Sequence, residues 1–232
     1  MILRNLHQRI SKQYFTNTFF HTSHSLRYFS DISHLKNESG AKLNAMLSLS
    51  IVNAKNFDKK KEIFDTYKSK FNIINHSAFL NKLDKIPNAK RLYQHSDKIE
   101  FLEEVFSDIK SKFLEEEETL TPRLCSNILL YLTGLKLKLS KPCPPLEDLI
   151  EIFFKKSISL RHEMKNQEYS NLIYSIWKLG KSDFLQENQE EIFEETKGMK
   201  VIALCIIYTV VHDSKIFGKK IQNKFAQFLV NR

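Results

Sequence analysis

The chain has 232 residues, 42% of them apolar, with 18 Phe but only five Gly and five Pro. That composition can bury a core; it disfavours pervasive disorder and a turn-rich β fold, and favours long helices. The formal charge is +9, yet residues 1–30 hold Arg4, Arg9, Lys12 and Arg27 with no acid, and the remainder carries 32 basic against 27 acidic residues. A balance of that size fits contact with RNA or anionic lipid, and equally an ordinary basic matrix protein.

Residues 1–30 have the chemistry of a mitochondrial targeting presequence: no acid, several Arg and many hydroxyl side chains. Ile2, Leu3, Leu6 and Ile10 can share one side of a helix, with Arg4, Arg9 and Lys12 around the other. Arg27-Tyr28-Phe29-Ser30 resembles matrix-processing sites, so Arg27, Phe29 and Ser30 mark the expected cut. A basic helix lying on a membrane surface is the alternative. A secretory signal is disfavoured, because no sufficiently long apolar run follows the charges. Residues 31–40 read as a polar leader and 41–232 as the helical-repeat domain. His7, His21, His24 and His34 fall in the first two segments and are given no metal role.

From Ala41 the pattern is helical. Leu43, Met46, Leu47, Ile51 and Ala54 form one stripe, and Ile63, Phe64, Tyr67 and Phe71 the next. Asp58 is the expected cap of that second helix. Lys59, Lys60 and Lys61 then oppose the helix dipole, as a surface contact or a solvated face. A short helix over 75–86 ends at Pro87, and a stronger one spans 97–114. The acids Glu115 to Glu118 at its end read as a solvated terminus or a protein-binding patch. Adjacent helical residues point apart, so they make poor catalytic carboxylates. Thr121-Pro122 is a hydroxyl cap followed by proline at the first helical position. Helices are then expected over 146–160, from Gln167, over 183–197, over 199–211 and over 214–230. The 199–211 stretch is apolar nearly all round, which predicts a central place; at about thirteen residues it is too short to cross a bilayer.

No GxGxxG, GxxxxGK[ST], HExxH or GxSxG is present, and five glycines leave little for a phosphate-cradling loop. Cys125, Cys143 and Cys205 form no CxxC or Cys/His cluster, which argues against a zinc site or a disulfide framework. Cys125 and Cys205 are expected in the core, and Cys143, between Pro142 and Pro144, is the expected exposed thiol. His162-Glu163 and His212-Asp213 are local pairs without a third partner. Trp177 can stack on a base or pack inward. The chain is therefore read as non-catalytic, with no cofactor and no metal.

Its organisation lies in a repeated phrase. QEYSNLIYSIWKLG (residues 167–180) carries the stripe Tyr169, Leu172, Ile173, Ile176 and Leu179, with Gly180 as its stop. RLCSNILLYLTGL (123–135) repeats Ser-Asn at a spacing of 44, and VIALCIIYTVV (201–211) is a looser copy. Each precedes a second amphipathic helix, which predicts an all-α fold of stacked antiparallel hairpins forming a short right-handed α-solenoid-like domain.

At Asn171, Tyr174, Trp177, Leu179 and Gly180 the sequence resembles the helical repeats of organellar RNA-binding proteins, the octotricopeptide and FAST kinase-like group. The earlier copy keeps Asn127 and Leu135 but has Thr133 in place of Trp. The resemblance implies RNA binding in the mitochondrial matrix, as part of an RNA-processing assembly or the mitochondrial ribosome. It carries no terminal RAP-like segment and so implies no nuclease. Lys136, Lys138, Lys178 and Lys181, at comparable helix ends, are the expected phosphate contacts. The alternative is a structural accessory subunit of a respiratory or other mitochondrial complex, with Glu115 to Glu118 and exposed aromatics meeting protein.

Overall fold

The computed structural model describes residues 40–230, so the presequence, the expected cut at Arg27, Phe29 and Ser30, and nearly all of the leader lie outside the described residues. Among the described residues there are twelve α-helices and no strand, as expected of an all-α chain. They are α1 (Gly40–Asn53), α2 (Phe57–Tyr67), α3 (Ile73–Asp84), α4 (Ala89–Leu92), α5 (Ser96–Glu115) and α6 (Pro122–Lys136). There follow α7 (Pro144–Ser159), α8 (Asn166–Lys178), α9 (Ser182–Glu187), α10 (Gln189–Thr196), α11 (Val201–Ser214) and α12 (Lys219–Val230).

Caps set the starts. Thr121 accepts from the Leu124 N–H at 3.2 Å and Pro122 opens α6. Asn72 and Asn75 form a reciprocal capping box on α3. Asn56, not Asp58, caps α2, accepting from the Lys59 N–H at 2.9 Å. Gly180 (φ +72°) ends α8 as expected: its N–H donates to Trp177 O and the Lys181 N–H to Ile176 O, the paired bonds of a left-handed helix stop. The helix expected over 183–197 is broken into α9 and α10 at Asn188, whose amide Nδ2 turns back to Phe184 O at 2.7 Å.

The helices alternate between two sets. α1, α3, α6, α8 and α11 pack as an inner row, each on the next, while α5 and α7 pack behind α3 and α6, and α12 packs on α10 and α11. Several contacts fix the direction of the row. Asp84, ending α3, bonds Lys138 just beyond α6. Lys136 and Lys181, at the ends of α6 and α8, both reach α7, at Glu147 and Glu151. The Lys200 N–H, at the start of α11, donates to Asn166 at the start of α8 at 2.7 Å. Like ends lie together, so α3, α6, α8 and α11 run the same way.

Aligning those four helices on their caps, Asn72, Thr121, Lys165 and Lys200, places Ser77, Ser126, Ser170 and Cys205 at one position, five residues on. The three serines are buried, and small side chains there let neighbouring helices approach closely. Gly134 serves the same end. A Cβ on it would collide with the Asp84 carboxylate, 2.7 Å from its Cγ. The missing side chain lets the Asp84–Lys138 clasp lie across α6.

Behind the first half of the row, Phe57, Phe64, Phe71, Phe79 and Phe101 form a connected cluster with centroids 5.3 to 6.4 Å apart. His76 is buried against Phe64 and Phe71, its Nε2 3.1 Å from Asp108 Oδ2 without hydrogen-bond alignment. Lys60 is 3% exposed and donates to Ala54 O at 2.6 Å and Asn56 O at 3.2 Å, so the middle lysine of the run closes the end of α1 instead of facing water. The acidic run is likewise engaged: Glu115 with Lys112, Glu117 with Lys156, and Glu116 accepting from the Ile73 N–H at the start of α3. α11 is not central. It closes the described row, with Val201 65% and Ile202 44% exposed.

Candidate nucleic-acid interface

An inner-row helix is covered by its two row neighbours and by the helices behind it, leaving one outward stripe. Helical spacing assigns that stripe to Arg123, Asn127, Leu130 and Gly134 on α6, and to Gln167, Asn171, Tyr174 and Lys178 on α8. Arg123 and Gln167 are exposed and most of the others half-buried.

The amides are tied together. Asn171 Nδ2 donates to Asn127 Oδ1 at 3.1 Å, and Gln167 Nε2 donates to Asn171 Oδ1 at 2.8 Å. The Asn residues of the two repeated phrases, 44 apart in sequence, thus bond directly to each other. The pairing holds α6 and α8 in register and leaves Gln167 and Arg123 at the surface, with hydrogen-bonding capacity directed outward.

At the other end of the stripe Lys178 Nζ lies 3.5 Å from the Trp177 ring centroid and 5.6 Å from that of Tyr174. The two rings meet edge to face at 5.9 Å. Trp177 is neither core nor fully open; it is half-buried beneath the ammonium. Burial pulls the Lys178 pKa down, opposed by the charge of Asp213. A desolvated cation on an aromatic face is held mainly by the ring's quadrupole.

The four expected lysines part ways here. Lys178 alone belongs to the outward stripe. Lys136 bonds Glu147 at 2.6 Å, Lys181 bonds Glu151 at 2.9 Å and lies over the Phe154 ring at 4.1 Å, and Lys138 is clasped by Asp84. Those three join helices to one another. Solvated pairs of that kind are worth little, about 0–1 kcal/mol, so a phosphate can compete for Lys136 and Lys181. Lys138 is tied more firmly, to both the carboxylate and the main-chain carbonyl of Asp84. Sequence spacing missed Arg123, Gln167 and Asn127 as one surface, although the shared Ser-Asn phrase was the signal that could have found it.

Cys125 is buried, its thiol pushed up to about 12 by desolvation. Cys143 is also buried, at 2% exposure, because the Pro-flanked loop folds it under the start of α7 as that helix's cap residue; Cys205 is the more accessible thiol. His212 Nδ1 lies 2.8 Å from Asp213 Oδ1, and both face solvent. Among the described residues no three His, Cys, Asp or Glu side chains converge as a metal would require, and no helix is long and apolar enough to cross a membrane. No family model matches the chain, and searches of curated proteins and of solved structures find nothing significantly similar to it.

Proposed function

We propose that this chain is a non-catalytic mitochondrial RNA-binding protein acting in organellar gene expression, and that single-stranded RNA lies along the outward stripe of α6 and α8. The observation that carries the reading is that Lys178 and Tyr174 share a stripe with the bonded amides of Asn127, Asn171 and Gln167, with the half-buried Trp177 ring at its flank beneath the Lys178 ammonium. Single strands are bound by aromatic faces that stack on bases, cations that meet phosphates, and amides that meet base edges. The stripe supplies Lys178 as the cation and the exposed Gln167 amide, with Tyr174 on it and Trp177 at its flank as the aromatic rings. A row of parallel helices, read as a short solenoid, would present the stripe to an extended strand.

Fluorescence anisotropy with a single-stranded RNA of about 20 nucleotides, titrated across a salt series, tests this. Binding is expected at low salt, weakening steeply as salt rises. Trp177→Ala should lower affinity about 5- to 100-fold, the range of one lost stacking contact. Lys178→Ala should reduce the salt slope by about 0.7, the share of one phosphate on a single strand. No salt-dependent binding at low ionic strength would sink the reading. The accessory-subunit alternative predicts RNase-resistant co-purification with a protein assembly. Its acidic patch is still at the surface: Glu115, Glu117 and Glu118 are exposed, the first two in solvated ion pairs, and only Glu116 is half-buried against the start of α3.

A further inference from the structure

The outward stripe continues onto α3. Aligned on their caps, α3, α6 and α8 set Ile74, Ala78, Asn81 and Lys85 level with Arg123, Asn127, Leu130 and Gly134, and with Gln167, Asn171, Tyr174 and Lys178. Burial agrees with the alignment. Ile74 and Lys85 are exposed and Ala78 and Asn81 half-buried, while Ile73, His76, Ser77, Leu80 and Leu83 of the same helix are buried. Lys85 is thus the α3 counterpart of Lys178. On α6 the same level is Gly134, and the Asp84 carboxylate lies over it, holding the Lys138 ammonium there.

Four lysines crowd one acid at this end of α3. Lys82 is half-buried one turn before Lys85, Lys138 is clasped by Asp84, and the enclosed Lys60 feels the Lys82 charge from behind. Crowding of its ammonium by the chain, then the charge of Lys82, pulls the Lys85 pKa down; Asp84 opposes the shift and Lys138 adds to it. The end of a helix favours cations, but Asp84 alone does not neutralise four of them. Donors are also left over. Lys138 gives two of its three to the carboxylate and main-chain oxygens of Asp84, and neither Lys82 nor Lys85 is ion-paired among the described residues. The cluster adjoins the aromatic part of the stripe, since burial and then the Asp84 charge raise the Tyr174 pKa.

We infer that Lys82, Lys85 and Lys138 form a phosphate-binding site at the α3 end of the stripe. Resting on the RNA reading above, its occupant is a backbone phosphate of the strand whose bases meet Tyr174 and Trp177. The phosphate oxygens accept the unused ammonium donors, and their charge offsets the local excess of cations.

The full chain, titrated with single-stranded RNA across a salt series, tests the site. Lys82→Gln/Lys85→Gln should lower the salt slope by about 1.4, the share of two phosphate contacts on a single strand. Lys110→Gln/Lys155→Gln, on the back helices α5 and α7, should leave the slope unchanged. Footprinting with an amine-acylating reagent needs no RNA: inorganic tripolyphosphate should slow the labelling of Lys82 and Lys85 severalfold relative to Lys110 and Lys155. RNA binding that Trp177→Ala weakens but Lys82→Gln/Lys85→Gln leaves intact, slope included, would overturn the site and spare the RNA reading. Protection by tripolyphosphate without RNA binding at low salt would support the phosphate site and overturn the strand as its occupant. Absence of both protection and slope change would overturn the site outright.

Discussion

Aromatic side chains do opposite work in the two halves of the inner row. Around α2, α3 and α5, five phenylalanines are buried against one another, and the cations above them, Lys61 over Phe101 and Lys98 over Phe57, lie at the rim. Around α8 and α11, Tyr174, Trp177 and Tyr208 are half-buried, and the Lys178 cation sits directly on the Trp177 ring. Ring content alone does not separate a core from a surface. What separates them is whether a neighbouring helix closes over the ring, and behind α3 one does.

The sharpest test of that contrast is Phe64→Ala against Trp177→Ala. Phe64 touches Phe71, Phe79, Phe101 and His76 with no exposure, so its loss should cost about 3–5 kcal/mol in urea unfolding. Trp177→Ala should cost well under half as much while affecting RNA affinity; equal losses of stability would mean that the two regions are packed alike.

A smaller effect is expected at the seam between the halves. Gly134→Ala pushes a methyl into the Asp84 carboxylate and should destabilise by about 1–3 kcal/mol. Placed on an Asp84→Ala background, the same change should cost less, because the obstruction is gone. Additive losses would show that the clasp and the glycine are independent.

The least of the three is a pH effect. Burial raises the Asp84 pKa above 3.8, and Lys138 offsets only part of the shift. A carboxyl raised in the folded state favours folding most at pH below its unfolded value, and that contribution fades as pH climbs through the folded value. Relative to Asp84→Asn, the native protein should therefore lose stability as pH rises above the ordinary carboxylate value of about 4. A difference that is flat across that range would contradict the burial argument.

How far residues disclose their own neighbours depends on whether the information is local. Thr121-Pro122, Gly180 and the stripes around Phe64 and Ile176 act within a turn or two of themselves, and the structure follows them. The bonded pair Asn127 and Asn171 was visible as a repeated phrase, though not as a hydrogen bond. Lys60 and Cys143 are enclosed by local turns, at the end of α1 and the start of α7, that apolar periodicity does not register, whereas Glu116 read as a polar residue because its partner, the start of α3, comes close only once the helices dock. α11 was misplaced for the same reason. Periodicity measures how apolar a helix is, and the number of helices that will cover it is a property of the packed row.

The enclosed ammonium of Lys60 gives this lysine-rich chain a built-in reporter of unfolding. Amine-acylating reagents will label the exposed lysines at once, while this one acquires its tag only in molecules that have opened between α1 and α2. Mass spectrometry of its peptide over a labelling time course would then read the opening rate of that corner without any engineered probe.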